Sequence, residues 1–266
     1  MKNPIVSVDW LREHLQDPEI IILDATLETP IEDIQIKGAR TFDIKTKFSD
    51  TNSPLPNTIP HPEAFATACR KMGVHKDSKI VVYDTKGIYS SPRAWWLFKV
   101  MGHEKVWVLD GGLPAWIKEG YATEKRGEQL YDKGDFTATF QPQLFKTKEQ
   151  VLANIQTNEA LLVDARSTDR FLAETEEPRA GLRSGHIPGS INIPYTLLLK
   201  DGKFLPKEEL KEVLSVPEKP LVFTCGSGIT ACINMIAYEL VSDNPKAIYD
   251  GSWTEWGQEK NLPIEK

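Results

Sequence analysis

Apolar residues along this chain fall into short unbroken runs separated by amphipathic stretches. In the first half the runs IIILDA (20–25), KIVVYD (79–84) and VWVLDG (106–111) are continuous, rich in β-branched residues and ended by Asp or Gly. Such runs predict parallel strands buried on both faces. Between them, HPEAFATACRKMG (61–73) and SPRAWWLFKVMG (91–102) predict helices, each closed by a glycine cap. In the second half LLVDA (161–165), LVFTC (221–225) and AIYDG (247–251) predict strands, and INMIAYEL (233–240) predicts a helix. This alternation implies an α/β fold, with parallel sheets carrying helices on both faces. Ligands of such folds bind beyond the C-terminal ends of the strands.

The pattern is written twice, at an offset of 140 residues. Asp24-Ala-Thr-Leu matches Asp164-Ala-Arg-Ser, and Asp110-Gly-Gly-Leu-Pro-Ala-Trp116 matches Asp250-Gly-Ser-Trp-Thr-Glu-Trp256. The helix starts at Ser7 and Thr147 match, and so do Leu11 and Leu15 with Val151 and Ile155. Thr147 with Gln150 also fits a capping box, in which two side chains satisfy free N–H groups of the first turn. The period is too long for a solenoid. Two similar domains are expected, residues 1–123 and 144–266, joined by a polar linker over about Glu124–Gln143.

Composition narrows the function classes. The chain has 266 residues, 40% of them hydrophobic, which is ample for two cores. A net charge of -6, with no block of Lys or Arg, argues against a nucleic-acid partner. No apolar run reaches the ~18 residues a membrane span needs, and the start MKNPIVSVDWLREHL lacks a signal-peptide core. A cytoplasmic protein without membrane association is expected, and a monomer fits a chain whose two domains bury each other. Three cysteines, Cys69, Cys225 and Cys232, make no disulfide framework, and no CxxC or Cys/His cluster suggests a metal.

Chemistry concentrates at Cys225, where an apolar strand meets a helix through Gly226-Ser-Gly-Ile-Thr230. A thiol with an ordinary pKa of about 8.5 becomes nucleophilic when a helix N-terminus or nearby cations favour the thiolate. The loop amides can turn inward as an anion-binding nest. Gly226 and Gly228 are expected to supply positive φ angles for it, and Ser227 and Thr230 to add hydroxyl donors. A cysteine at an arbitrary position is most often an inert buried thiol; the loop reverses that reading for Cys225. Cys69 and Cys232 lie inside helices and read as packing residues, with a redox role as the lesser alternative for Cys232. In the first half Asp84 stands opposite Cys225, so only the second half carries a nucleophile.

The loop CGSGITAC resembles that of the 3-mercaptopyruvate sulfurtransferases of the rhodanese superfamily, which typically reads CGSGVTAC. The resemblance covers nearly the whole chain, including the duplication, SPRAWW (91–96), GHIPGSINIP (185–194) and YDGSWTEW (249–256). It implies two tandem rhodanese-like domains and sulfur transfer through a persulfide on Cys225. Catalytic Cys225 and Ser227, with Gly226, Gly228, Ile229 and Thr230 lining the substrate, are carried over from the loop. Arg170 (in DRF) and Arg179 (in EPR) match the family's substrate arginines, a residue type suited to a carboxylate. Arg166 reads as structural, Arg183 as solvated and His186 as structural. The implied partners are a small-molecule sulfur donor and a thiol acceptor such as thioredoxin or a small thiol, or cyanide, with no cofactor.

Thiosulfate-preferring relatives usually carry a basic residue after the cysteine, as in CRKGVTAC. Gly226 takes that place here and favours 3-mercaptopyruvate, with thiosulfate as the alternative donor and a non-catalytic binding module as a remote third reading. A phosphatase would need C-x5-R, and the sixth position after Cys225 is Ala231. In the family the loop serine has been proposed to act with a histidine and an aspartate of the first domain. The histidine follows SPLP there, whereas this chain has Asn57, with His61 further on. Asp43 and Asp50 read either as partners in such a relay or as ordinary turn or cap residues, and neither they nor His61 is taken as catalytic.

Overall fold

Two five-stranded parallel sheets form the frame of the computed structural model, which describes residues 3–27, 33–127, 129–214 and 217–266. The first sheet sets Ile5–Val6, Val106–Leu109, Lys79–Tyr83, Ile20–Asp24 and Arg40–Thr41 side by side. The second sets Phe145–Lys146, Lys246–Tyr249, Leu221–Thr224, Leu161–Asp164 and Ile191–Asn192. In both, the order by position in the half is first, fifth, fourth, second, third. Register repeats as well. Asp24 pairs with Tyr83 and Asp164 with Thr224, so Asp84 and Cys225 leave their sheets at the same place.

Local sequence explains the helices that flank these strands. Ser7 caps Val8–His14 by accepting from the Trp10 N–H, and Thr147 and Gln150 form the expected reciprocal box on Lys148–Thr157. Pro62 and Pro92 sit in first turns, where their missing N–H costs nothing. The helices after the two equivalent loops, Ser91–Val100 and Ala231–Val241, are apolar nearly all round and buried. They pack against each other within one core that draws Trp96, Leu97 and Phe98 from the first half and Ile193, Ile236 and Tyr238 from the second. That contact brings the two strand-end loops close together.

Each half also lays a segment over the other. The Phe204 N–H donates to Asp110 Oδ1 at 2.9 Å, and the Ile59 N–H donates to Asp250 Oδ2 at 2.8 Å. Asp110 and Asp250 are the repeated residues that end each half's last sheet strand.

The stretch expected to be a linker is strapped to the first half; its Glu128 lies outside the described residues. It begins inside the strand Thr123–Lys125, which pairs antiparallel with Ile34–Ile36. Beyond that, the N–H groups of Gly134, Thr139 and Gln141 donate to the carbonyls of Arg70, Met101 and Val100. Phe136 is fully buried. Attachment through the backbone leaves most side chains in water, which is why the stretch reads as polar. Among the described residues, no helix is long and apolar enough to cross a membrane.

Candidate active site

The strand Leu221–Thr224 delivers Cys225 to the C-terminal edge of the second sheet, where it is buried. Its N–H donates to Ser252 Oγ at 3.3 Å, and its carbonyl accepts from the Trp253 N–H at 2.9 Å. The Gly226 carbonyl accepts from the Thr254 N–H at 2.9 Å. These bonds fix the root of the loop to the turn after the last strand. Among the described residues, the backbone N–H groups of Gly226 to Thr230 donate to no acceptor in the chain. Ile229 is buried as the loop's apolar wall, and Thr230 takes the N-cap position without a capping bond from its side chain.

The two loop glycines serve different ends, which corrects the expectation that both adopt positive φ. Gly228 does, at +79°, as its counterpart Gly87 does at +95°. Gly226 does not; a Cβ there would lie 3.1 Å from Arg170 Nη2. The missing side chain leaves room for a guanidinium beside Cys225.

The first half shows what this loop architecture holds. Asp84 Oδ2 accepts from the N–H groups of Tyr89, Ser90 and Ser91, at 2.9, 3.0 and 2.9 Å, and from the Ser91 hydroxyl at 2.7 Å. The chain's own carboxylate takes N–H groups at the end of this loop and the start of the helix after it, at positions equivalent to Thr230, Ala231 and Cys232. Asp84 leaves the first copy without a thiol at this position.

Two arginines reach the loop from the segment after Leu161–Asp164. Arg170 donates to both oxygens of Glu177, at 3.3 and 2.6 Å. The buried Glu177 is held in turn by Arg166 at 2.8 Å, and Arg166 also grips Asp164 at 2.7 Å. Arg166 is thus structural, as expected. Arg179 is exposed and donates to Ser227 Oγ at 3.2 Å. Arg183 differs from its expected solvated state. It donates to the carbonyls of Trp256, Gly257 and Leu262, at and after the C-terminal end of the helix Ser252–Trp256, and ties the C-terminal segment to this half. His186 stacks on Phe171 at 3.7 Å and joins the Phe171 carbonyl, a structural placement.

The first half supplies residues that sequence reasoning did not place at the loop. Asn57 Nδ2 donates to the Ser227 carbonyl at 3.0 Å and to Ser227 Oγ at 3.2 Å. Arg93, fully buried, donates to Asp250 Oδ1 at 2.6 Å, to the Gly228 carbonyl at 3.2 Å and to the Asn57 carbonyl. Burial works against its charge, but the Asp250 carboxylate outweighs that and holds the guanidinium above its ordinary pKa. The signals were present as the Arg of SPRAWW and the Asp that ends AIYD, but only folding joins them. His61 caps the helix Pro62–Lys71 instead, accepting from the Glu63 N–H at 3.4 Å. Asp43 and Asp50 cap turns through the N–H groups of Lys45 and Asn52. Burial raises the Cys69 and Cys232 thiols, the first within the core and the second against the Gly228 carbonyl.

Comparison with known proteins follows the same lines. The rhodanese-like domain family matches residues 7–119 and 147–259. The chain is 40% identical to the 3-mercaptopyruvate sulfurtransferase of Escherichia coli (strain K12), over 98% of this chain and 97% of that protein. It is 41% identical to the mitochondrial thiosulfate/3-mercaptopyruvate sulfurtransferase 1 of Arabidopsis thaliana, over 99% of this chain and 78% of that protein. The crystal structure of SseA, a 3-mercaptopyruvate sulfurtransferase from Escherichia coli, superposes with a TM-score of 0.85 at 39% identity, covering 95% of this chain and 99% of that one.

Proposed function

The chain belongs to the rhodanese family, as two rhodanese-like domains in tandem, and on that premise we propose that it moves sulfur from 3-mercaptopyruvate through a persulfide on Cys225 to a thiol acceptor. The observation that carries the choice of donor is the space above Gly226. Arg170 stands 3.1 Å from where a Cβ would be, so a basic side chain at this position would push the guanidinium aside and repel it. With glycine there, Arg170 and Arg179 flank the loop and can take the donor's carboxylate and keto oxygen.

In the first half-reaction the Cys225 thiolate bonds to the donor's sulfur and the donor's C–S bond breaks. The electron pair passes to carbon and the keto oxygen as pyruvate enolate, which takes a proton from solvent. The outer sulfur stays on Cys225. Loop amides and the Ser227 and Thr230 hydroxyls stabilise the charge that develops. Asp84 supports this role for the nest. Its Oδ2 is two bonds from Cβ, as the outer sulfur of a cysteine persulfide is, and it takes three N–H bonds. In the second half-reaction an acceptor thiolate attacks the outer sulfur and carries it off, restoring the Cys225 thiolate.

The test compares pyruvate release from 3-mercaptopyruvate with sulfite release from thiosulfate, at matched concentration with one small-thiol acceptor. The expected ratio is about a hundredfold or more in favour of 3-mercaptopyruvate, as for sites that pair buried polar groups with one substrate. Cys225→Ser is expected to abolish both reactions while keeping the fold. Equal rates, or faster sulfite release, would overturn the donor assignment.

A further inference from the structure

Ser227 is held by two donors at once. Its Oγ accepts from Asn57 Nδ2 at 3.2 Å and from Arg179 Nη2 at 3.2 Å. A hydroxyl offers two lone pairs and one proton, so both acceptor positions are taken. The proton must point elsewhere, and among the described residues it finds no acceptor. The orientation of the Asn57 amide is itself determined. Its nitrogen also faces the Ser227 carbonyl at 3.0 Å, and a carbonyl only accepts, so the NH2 group lies on that side. Asn57 in turn cannot drift. It sits at φ +58°, a left-handed conformation that asparagine tolerates, and Arg93 grips its carbonyl.

Accepting the sulfur-transfer reading of the site, we propose that Asn57 is a positioning residue that fixes the Ser227 hydroxyl as a hydrogen-bond donor to the reacting group through a contact that does not titrate. An amide neither gains nor loses a proton in the physiological range. Ser227 therefore keeps one orientation, and a charge-neutral donor faces the enolate oxygen when the C–S bond breaks. A carboxylate at position 57 would accept the hydroxyl proton and turn the donor away. An imidazole would donate from either nitrogen when protonated and from only one when neutral, so its effect would change with pH.

The experiment is single-turnover loading of Cys225, followed by intact mass as the gain of one sulfur, with 3-mercaptopyruvate and thiosulfate run side by side. Ser227→Ala is expected to slow loading by about a hundredfold, the scale of losing one oriented donor. Asn57→Ala should slow it by about tenfold and Asn57→Asp by more, both by weakening what Ser227 does. In the Ser227→Ala background, either Asn57 change should cost less than about twofold, because residues acting through one contact are not additive. Asn57→His should add to the loading rate a new inflection near the ordinary histidine pKa of about 6.5 that the native protein lacks. Additive losses, or an Asn57→His profile that matches the native one, would overturn the proposal. Loading by thiosulfate alone would overturn the donor assignment and leave the Asn57 cycle to be read on that donor. Loading by neither removes both readings.

Discussion

Replacing Arg93 by methionine tests how the first half governs the Cys225 loop, which it does not carry. Methionine keeps an apolar stem against Trp96, whose ring lies 4.5 Å from the guanidinium carbon, but removes the charge. The side chains of Arg93 and Asp250 are 0% and 4% exposed, so neither charge is repaired by water. After the change Asp250 keeps the Ile59 N–H at 2.8 Å and loses its cation, while the carbonyls of Gly228 and Asn57 each lose a donor. Removing one member of a buried pair costs about 3–5 kcal/mol. For a chain of this size that corresponds to a fall in Tm of roughly 6–20 °C. Denaturant unfolding should also lose cooperativity, since this pair joins the two halves. Asp250→Asn in the Arg93→Met background should restore much of the stability by removing the stranded charge, without restoring activity. Thermal and denaturant melts, read with pyruvate release, check this. A single variant within about 1 kcal/mol of the native protein, or a double variant whose cost is the sum of the singles, would refute the reasoning.

Two further outcomes follow from residues near the loop. Gly226→Arg should set a second cation against Arg170, raise KM for 3-mercaptopyruvate by about tenfold or more and shift preference toward thiosulfate; steady-state kinetics with both donors measure it. Asp110 is raised above the ordinary carboxylate pKa by burial, against the bond from the Phe204 N–H and the nearby Lys203. Its contribution to stability is therefore fully present below the unfolded value of about 3.9 and is lost as pH rises through the folded one. Asp110→Asn keeps an acceptor for Phe204 without the charge, so it should gain stability near pH 7, with the gain shrinking toward pH 4, as thermal melts across that range would show.

Much of the fold was legible because its signals are local. Buried parallel strands announce themselves as apolar runs, and the capping box at Thr147 and Gln150 is a four-residue pattern that formed as written. The strap over 124–143 was less legible. Most of its side chains face water, while its attachment runs through backbone bonds and through Glu124, Arg126 and Asp135, whose partners Gly38, Asp24 and Lys76 lie far away in sequence. Gly226 and Gly228 were equally visible, yet one answers to a backbone angle and the other to the bulk of Arg170, far away in sequence.

The sequence by itself determined the duplication, the two sheets and the position of Cys225 at a strand end opposite Asp84, because periodicity and a repeated offset need no knowledge of contacts. It also placed Arg170, Arg179 and Ser227 among the site candidates through a motif. Only the tertiary structure decided that Asn57 rather than His61 meets Ser227, that Glu177 holds Arg170, and that Arg93 and Asp250 lock the halves together. Asn57 and Ser227 are 170 positions apart, and Arg93 and Asp250 are 157 apart. Such pairs meet because two apolar helices bury against each other, and no local pattern records which polar groups that packing will bring within reach.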